Sequence, residues 1–234
     1  MEARLLNSKQ VNEQPLWQQR LLLAQSPLTL ITSSSSMRPT VESFISERFL
    51  QSYGAQLKYF LPFLLASLQV EEVSAAIGFQ PATKRPLFLE NYLDKPIELS
   101  LPESVGLMPR KQIVEIGNLA ASFQAGSPLL FVVIAAILHQ AGFHYVVFTA
   151  TSQVRKLLDK FQLKTDIIGP ADPLRLPDKG EAWGQYYLHE PIILGGGLAY
   201  AVEHLSRHQV IKAALIHHAD FINETAKQIG FGNE

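Results

Sequence analysis

The chain has 234 residues, no cysteine, and 20 basic against 21 acidic side chains, which give a formal net charge of −1. The even charge balance disfavours nucleic acid as a partner, and the lack of cysteine excludes disulfides, thiol catalysis and thiolate metal sites. We expect an N-terminal arm at 1–26, one domain at 27–198 and a C-terminal helical extension at 199–234. The arm has no apolar run of the length that a secretory signal needs, which predicts a cytoplasmic protein.

The first half of the domain is predicted to hold a strand, an amphipathic helix and a hairpin. The stretch PLTLITSSSS has the pattern of a strand that ends in a serine-rich turn. Apolar residues from Val41 to Phe49 recur at helical spacing within VESFISERFLQSYGAQLK. Two apolar runs, YFLPFLLASL and VSAAIGFQPA, flank the acidic pair Glu71 and Glu72 and predict an antiparallel hairpin.

The second half alternates strands and helices. QIVEIGNLA, YVVFTAT and TDIIGPA are predicted strands, with helices LLFVVIAAILHQAG and SQVRKLLDKFQL between them, so part of the sheet should be parallel. WGQYYLHEPIIL is predicted to close the sheet, and the glycines 195–197 to form a turn before one C-terminal helix. The longest apolar run, PLLFVVIAAIL, has about half of the roughly 20 residues that a membrane span needs, which predicts a buried core helix.

A carboxylate, Glu115, stands in the middle of the β-branched stretch IVEIGNLAA. Apolar neighbours should desolvate it and raise its pKa toward neutrality, where a carboxylate can act as a general base. The alternative is that Glu115 pairs with an arginine or lysine and only ties the sheet to a loop. A bulge at Gly117 would turn Glu115 and Asn118 toward one cleft, because a bulge shifts the two-residue alternation of a strand by one.

The break at Gly117 also predicts that this strand diverges from the next parallel strand. A wedge between two strands exposes backbone groups that a ligand can pair with as an extra strand. The loop SFQAGSP then leads to a helix that is predicted to start at Ser127 or Pro128, and the free amides of a helix start favour an anionic group. This geometry suits a phosphate-bearing chain inserted beside the strand.

Five motifs, PLFLENYLDKPIE, IVEIGNLAA, HYVVFTAT, GPADPLRL and WGQYYLHEP, are similar to the thermostable hemolysin family over residues 28–198. The order of elements resembles the GNAT acyltransferase fold, which acyl-homoserine-lactone synthases share. The resemblance implies an α/β protein with a GNAT-like mixed central sheet, a splayed fourth strand, helices on both faces and an extra C-terminal helix. It also implies an N-acyltransferase that moves an acyl group from acyl-CoA or acyl-carrier protein to an amine-bearing small molecule or lipid precursor, without a metal.

Site residues follow from the same resemblance. Glu115 matches the GNAT general base, and Leu119, Ala120 and Ala121 match the segment whose backbone pairs with pantetheine. Gly126 and Ser127 fall where the pyrophosphate loop ends, and Asn118 would orient the acceptor or a water. Glu90 and Tyr92 would bound the acceptor pocket, although a helix start with a solvated acidic face is an alternative for FLENYLD.

The chain departs from the usual GNAT pattern in the next helix. Thr151 and Leu158 stand where GNAT enzymes often have an asparagine and the general-acid tyrosine. Tyr187 is therefore predicted to supply the catalytic phenol, with Tyr186 and Tyr92 as alternatives.

Two other functions remain open. The family name implies a membrane-active hemolysin, but the sequence has no spanning segment and no strongly basic amphipathic helix. A non-catalytic GNAT-fold module that forms a homodimer through its terminal helix is the second alternative. The pair His204 and His208 has a helical metal-binding spacing without a third ligand, and we expect a solvated helix face instead.

Overall fold

The computed structural model describes residues 27–69, 72–122 and 127–230, and the predicted N-terminal arm and Gly126 lie outside them. These residues form a seven-stranded sheet in the order β1-β2-β3-β4-β5-β7-β6. Strands β4 and β5 are parallel, and the other neighbouring pairs are antiparallel. The strand bounds are β1 Leu28–Ile31, β2 Phe63–Gln69, β3 Glu72–Pro81, β4 Ile113–Ala121, β5 Tyr145–Ala150, β6 Asp166–Pro170 and β7 Ile192–Gly197.

Helices cover both faces of this sheet, as predicted. Helix α1 packs Val41, Ile45 and Phe49 on one face, against β2 residues such as Leu64. Leu65, the next residue of β2, points to the opposite face and joins the core formed around α2. The helix bounds are α1 Arg38–Tyr53, α2 Ser127–Gln140, α3 Ser152–Lys160, α4 Leu198–Ser206, α5 Gln209–His217 and α6 Ala219–Ile229. The mixed α/β fold and the predicted start of α2 are confirmed.

The prediction of one C-terminal helix was wrong, because this segment folds as α4, α5 and α6. The chain turns at His208 and again at His218, the residues that precede α5 and α6. Leu205, Ile211 and Ile222 come from the three helices and join one core with α2. A single straight helix would carry its later residues away from α2, whereas the two turns keep each short helix packed on it.

The predicted strand WGQYYLHEPIIL was wrong over most of its length. Glu181–Trp183 and Tyr186–His189 are 3-10 turns, and β7 begins only at Ile192. The glycines 195–197 belong to β7 and do not form a turn. Gly195 lies directly under the ring of Tyr145, and any β-carbon there would collide with that ring. Close packing thus explains this glycine better than chain reversal does.

Candidate active site

The parallel pairing of β4 with β5 ends in the middle of β4. It runs from Ile113 opposite Tyr145 to Ile116 opposite Phe148, and the ladder stops there. Beyond this point β4 still pairs with β3 on its other side, through Gly117, Ala120 and Ala121. The predicted splay of the fourth strand is therefore confirmed, and it begins at Gly117.

A bulge at Asn118 accompanies the splay. Ala76 of β3 pairs with Ala120, but Gly78, two residues further along β3, pairs with Gly117, which is three residues away on β4. Between these pairs β4 therefore has one residue more than β3, and Asn118 lies in this bulge. Its φ of 50° lies in the left-handed region, which asparagine tolerates better than most residues. Asn118 and Glu115 consequently line the same cavity, as the predicted bulge requires.

The side chain of Asn118 is used within the protein. Its Oδ1 accepts the backbone N–H of Leu61 at 2.9 Å, and its Nδ2 donates to the carbonyl oxygen of Tyr59 at 3.5 Å. Gly78 leaves space for the Asn118 side chain, since a β-carbon at position 78 would lie 3.0 Å from Asn118 Oδ1. Asn118 thereby fixes the segment before β2 at the edge of the cavity.

Glu115 is 4% exposed and makes no ion pair within the described residues. Its two carboxylate oxygens accept the backbone N–H groups of Phe88 at 2.8 Å and Leu89 at 3.0 Å. Burial raises the pKa of Glu115 to about 7, against the lowering effect of these two amide donors. The elevated pKa is confirmed. The carboxylate also ties β4 to the 3-10 turn Phe88–Tyr92, through amides and not through the cation of the alternative interpretation.

The cavity beside Glu115, here the inner cavity, has a volume of about 110 Å³. It lies where β4 leaves β5, and its walls come from α1, the loop before β2, the 3-10 turn, both strands, α3 and the segment 183–186. Aromatic rings dominate these walls. The aromatic lining residues are Phe49, Tyr53, Tyr59, Phe88, Tyr92, Trp183 and Tyr186. An apolar enclosure of this kind excludes water and strengthens the electrostatic interactions inside it.

Sequence reasoning missed Tyr53 as a polar side chain of the inner cavity, and it noted Thr151 only as a departure from the GNAT pattern. Tyr53 and Thr151 both line the cavity, and burial raises the pKa of Tyr53. Tyr53 follows Val41, Ile45 and Phe49 at four-residue steps, so the helical row already visible in the sequence could have included it. Leu158, at the expected position of the acid, is buried in the core around α2.

Tyr92 and Tyr187 form a hydroxyl pair at 2.7 Å. Tyr92 lines the inner cavity, whereas Tyr187 does not and lies behind it. Burial raises the pKa of both phenols, that of Tyr187 to about 12. Tyr186 also lines the cavity and is buried. The structure thus gathers all three predicted phenols near Glu115 but places Tyr187 one hydrogen bond away from the cavity.

Glu90 faces a second, larger space of about 660 Å³, here the outer cavity. Its carboxylate makes a two-point ion pair with Arg110, at 2.6 and 2.8 Å, and accepts the amides of Leu87 and Ile97. Burial alone would raise the pKa of Glu90, but Arg110 and these amides outweigh it and lower the pKa. Glu90 therefore stabilises the 3-10 turn Phe88–Tyr92 beside the cavity wall.

The predicted donor-binding residues lie along the free part of β4. Leu119 lines the inner cavity, and Ala120 and Ala121 continue the strand beyond the splay. Helix α2 begins at Ser127, and Gly126 lies outside the described residues. Among the described residues no helix combines the length and apolarity of a membrane span, and no group of acidic and histidine side chains is arranged for a metal ion.

The family model described as thermostable hemolysin matches residues 31–202 of the chain. No curated protein sequence matches this chain. Solved structures resemble it in fold. The AHL synthase LasI aligns with a TM-score of 0.51 and 16% identity, over 74% of this chain and 91% of LasI.

Two further structures give similar values. FeeM, an N-acyl amino acid synthase from uncultured soil microbes, has a TM-score of 0.51 and 12% identity over 76% of this chain and 98% of its own. TofI, solved with an inhibitor and MTA, has a TM-score of 0.50 and 11% identity over 75% and 96%. At these identities the similarity shows the fold, which is GNAT-like.

Proposed function

Starting from the fact that the chain belongs to the thermostable hemolysin family, we propose that it is an N-acyltransferase that uses a thioester donor. The observation that carries this proposal is the buried Glu115 at the point where β4 separates from β5. The gap leaves strand backbone open to an extended ligand, and the carboxylate has a pKa of about 7, suited to proton transfer near neutral pH. The similarity in fold to FeeM, an N-acyl amino acid synthase, supports an amine as acceptor.

In the proposed reaction the pantetheine arm of acyl-CoA or acyl-carrier protein lies along Leu119, Ala120 and Ala121. Gly126 and Ser127 would meet the diphosphate at the start of α2, where free backbone amides favour anions. The location of Leu119, Ala120 and Ala121 on the part of β4 that does not pair with β5 supports the pantetheine assignment. The segment 27–198 would form the catalytic domain and 199–234 an added helical layer.

Glu115 removes a proton from the neutral amine nitrogen as that nitrogen bonds to the thioester carbonyl carbon, so the tetrahedral intermediate carries a negative oxygen and a neutral nitrogen. Backbone N–H groups of the free part of β4 stabilise the oxyanion that develops. The C–S bond breaks, the leaving thiolate takes the hydroxyl proton of Tyr92, and Tyr92, which shares a hydrogen bond with Tyr187, regains a proton from the protonated Glu115 in the same cavity. Asn118 contributes by holding the segment Tyr59–Leu61 at the cavity edge. Glu90 bounds the acceptor side while it remains paired with Arg110.

A thiol-release assay tests the proposal directly, because a chain without cysteine gives no background signal. The purified protein is incubated with acyl-CoA of several chain lengths, or acyl-carrier protein, and a panel of amines. We expect amine-dependent thiol release, and Glu115→Gln should slow it by about 10²–10⁴-fold, the usual contribution of general-base catalysis.

Glu90→Gln is the matched control. Both glutamates hold the 3-10 turn Phe88–Tyr92 through backbone amides, but only Glu115 lines the inner cavity. Unimpaired turnover by Glu115→Gln, or equal losses in both variants, would remove Glu115 from the role of base. Release of dye from liposomes by the protein alone, without any donor, would instead favour the membrane-active alternative.

A further inference from the structure

The outer cavity adjoins the inner one across a thin aromatic wall. Tyr59, Phe88 and Trp183 line both cavities. Their rings are in contact, with centroids 5.7 Å apart for Tyr59 and Phe88 and 5.5 Å apart for Phe88 and Trp183. A molecule in the outer cavity is therefore separated from Glu115 by one layer of side chains.

Arg85 on the rim of the outer cavity is held in one orientation. Its Nε donates to Gln80 Oε1 at 3.0 Å, and its guanidinium carbon lies 5.1 Å from the centre of the Tyr59 ring. Gln80 is fully buried, accepts the Tyr59 hydroxyl at 3.0 Å and donates to the carbonyl oxygens of Arg85 and Pro86. These contacts fix one edge of the guanidinium and leave its two terminal nitrogens without a partner in the described part of the chain.

The charges around the outer cavity are unequally satisfied. The two acidic side chains, Glu90 and Asp178, are occupied by Arg110 and by the backbone amides of Gly180 and Ala182. Lys58 and Arg85 also line this cavity, and neither forms an ion pair with a residue that the structure describes. The charges around the cavity that lack an ion-pair partner among the described residues are thus positive, and they favour an anionic ligand.

A short path connects Arg85 to the buried carboxylate. Gln80, which holds Arg85, is the direct partner of Glu115 across β3 and β4. Residues directly opposite in an antiparallel pair have β-carbons about 5 Å apart. The positive charge of Arg85 accordingly contributes to the pKa of Glu115, in the lowering direction. An anion bound at Arg85 would lie across one layer of side chains from an amine that approaches Glu115.

From this arrangement we infer that the outer cavity selects an acceptor amine that carries an oxyanion, a carboxylate or a phosphate, a few bonds from its nitrogen. Arg85 binds the oxyanion through its two terminal nitrogens, and Lys58 adds a second positive charge. The planar fork of a guanidinium matches both oxyanions. The inference rests on the proposed acyl transfer and names its substrate class.

Product analogues test this inference without catalysis. Calorimetry would measure the dissociation constants of N-octanoylglycine and of its neutral amide, and likewise of N-octanoyl-phosphoethanolamine and N-octanoylethanolamine. On the wild-type protein we expect at least one anionic analogue to bind about tenfold or more tightly than its neutral partner, the usual value of a charge-assisted hydrogen bond. The two pairs distinguish a carboxylate acceptor from a phosphate acceptor.

Variants assign the preference to Arg85. Arg85→Gln should abolish the difference between anionic and neutral analogues, and Arg85→Lys should retain part of it. Arg207→Gln, which removes the same charge from an exposed pair with Glu203, is the control and should keep the full preference. Unaltered octanoyl-CoA binding by Arg85→Gln would show that the fold is intact.

Two results would overturn the inference and are distinguishable. Equal binding of anionic and neutral analogues to the wild type would refute oxyanion selection and leave the proposed acyl transfer standing. Failure of all four analogues to bind would refute the proposed N-acyl product together with the inference.

Discussion

Asn118 and Leu61, 57 positions apart in the chain, are joined by a 2.9 Å hydrogen bond from the backbone N–H of Leu61 to the side-chain Oδ1 of Asn118. The bond attaches the segment before β2 to the bulge on β4, at the start of the splay. A β-carbon at the neighbouring Gly117 would come within 3.2 Å of Leu61 Cδ1, so this contact is close. Asn118 therefore connects the left-handed backbone of the bulge with a wall of the inner cavity.

The first prediction separates the backbone role of Asn118 from its hydrogen bonds. Asn118→Gly tolerates the φ of 50° but leaves the Leu61 N–H unpaired, which should lower the free energy of unfolding by about 1–3 kcal/mol. Asn118→Ala should lose about 1–2 kcal/mol more, because a β-carbon disfavours the left-handed region. Urea unfolding of the three proteins measures both steps. Alanine at least as stable as glycine would contradict the left-handed assignment.

The second prediction concerns the pH dependence of turnover. The base must be ionised, so the kcat of the wild type should rise with pH and level off above about 7, the pKa of Glu115. The ionisation of the amine is common to all variants, so the ratio of wild-type to Glu115→Gln rates isolates the contribution of Glu115. That ratio should grow from pH 5.5 to 8, whereas the ratio to Glu90→Gln should stay constant. A flat ratio for Glu115 would argue against its titration in the reaction.

The third prediction concerns the pH dependence of stability. Glu115 has a pKa of about 7 when folded, and an unfolded glutamate has one of about 4.3, so the folded state binds more protons between these values. Its contribution to stability is therefore complete below pH 4.3 and is lost as the pH rises through 7, by about 4 kcal/mol in total. Relative to Glu115→Gln, the wild type should lose stability over this window in chemical denaturation.

Glu90 supplies the contrast, because its folded pKa is lowered. The contribution of Glu90 to the free energy of unfolding is present above the pKa that Glu90 has in the unfolded chain, and it is lost as the pH falls through its pKa in the folded protein. Glu90→Gln should thus change the acid limb of the stability curve and leave the interval from 4.5 to 7 unchanged. If both variants changed the same limb, the opposite shifts of the two pKa values would be refuted.

The fourth prediction treats Tyr92 and Tyr187 as one unit. Their 2.7 Å hydroxyl contact means that removal of either oxygen breaks the same hydrogen bond. Tyr92→Phe and Tyr187→Phe should each slow thiol release, and the double variant should be little slower than the worse single variant. Additive losses in this double-mutant cycle would show that the two phenols act independently.

The fifth prediction concerns Gly184, which has a φ of 54° and lies against the carbonyl oxygen of Tyr53. Gln185 N–H donates to that oxygen at 2.7 Å, so the segment that carries Trp183 is fixed to the end of α1. Gly184→Ala should both strain the backbone and push this segment away, which opens the inner cavity. The effect should appear as weaker acyl-CoA binding and a lower melting temperature.

Gly106→Ala is the matched control for this substitution. Gly106 also has a positive φ, 73°, but a β-carbon there meets nothing within 4 Å. It should therefore lose only backbone strain, about 1–3 kcal/mol for a non-glycine residue at a φ of 73° and a ψ of −166°, and keep acyl-CoA binding. Comparable damage from both substitutions would refute the role of the close contact between Gly184 and Tyr53.

The sequence by itself determined the regular elements and the special strand. Residues that alternate or recur at helical spacing report their own burial, so the hairpin, α1 and the strands β4, β5 and β6 could be predicted from local patterns. The isolated Glu115 among β-branched residues predicted a desolvated carboxylate, and Gly117 next to Asn118 predicted the bulge. Each of these features depends on neighbours within a few positions.

Only the tertiary structure decided what surrounds Glu115. Its partners, the amides of Phe88 and Leu89, lie 27 and 26 positions away, in a 3-10 turn that has no hydrophobic periodicity to detect. The segment around Trp183 resembles a strand in composition, but positive-φ glycines and packing against α1 fold it over the cavity. Such contacts depend on where distant segments meet, and that is fixed by packing of the whole core, not by the local pattern of any one segment.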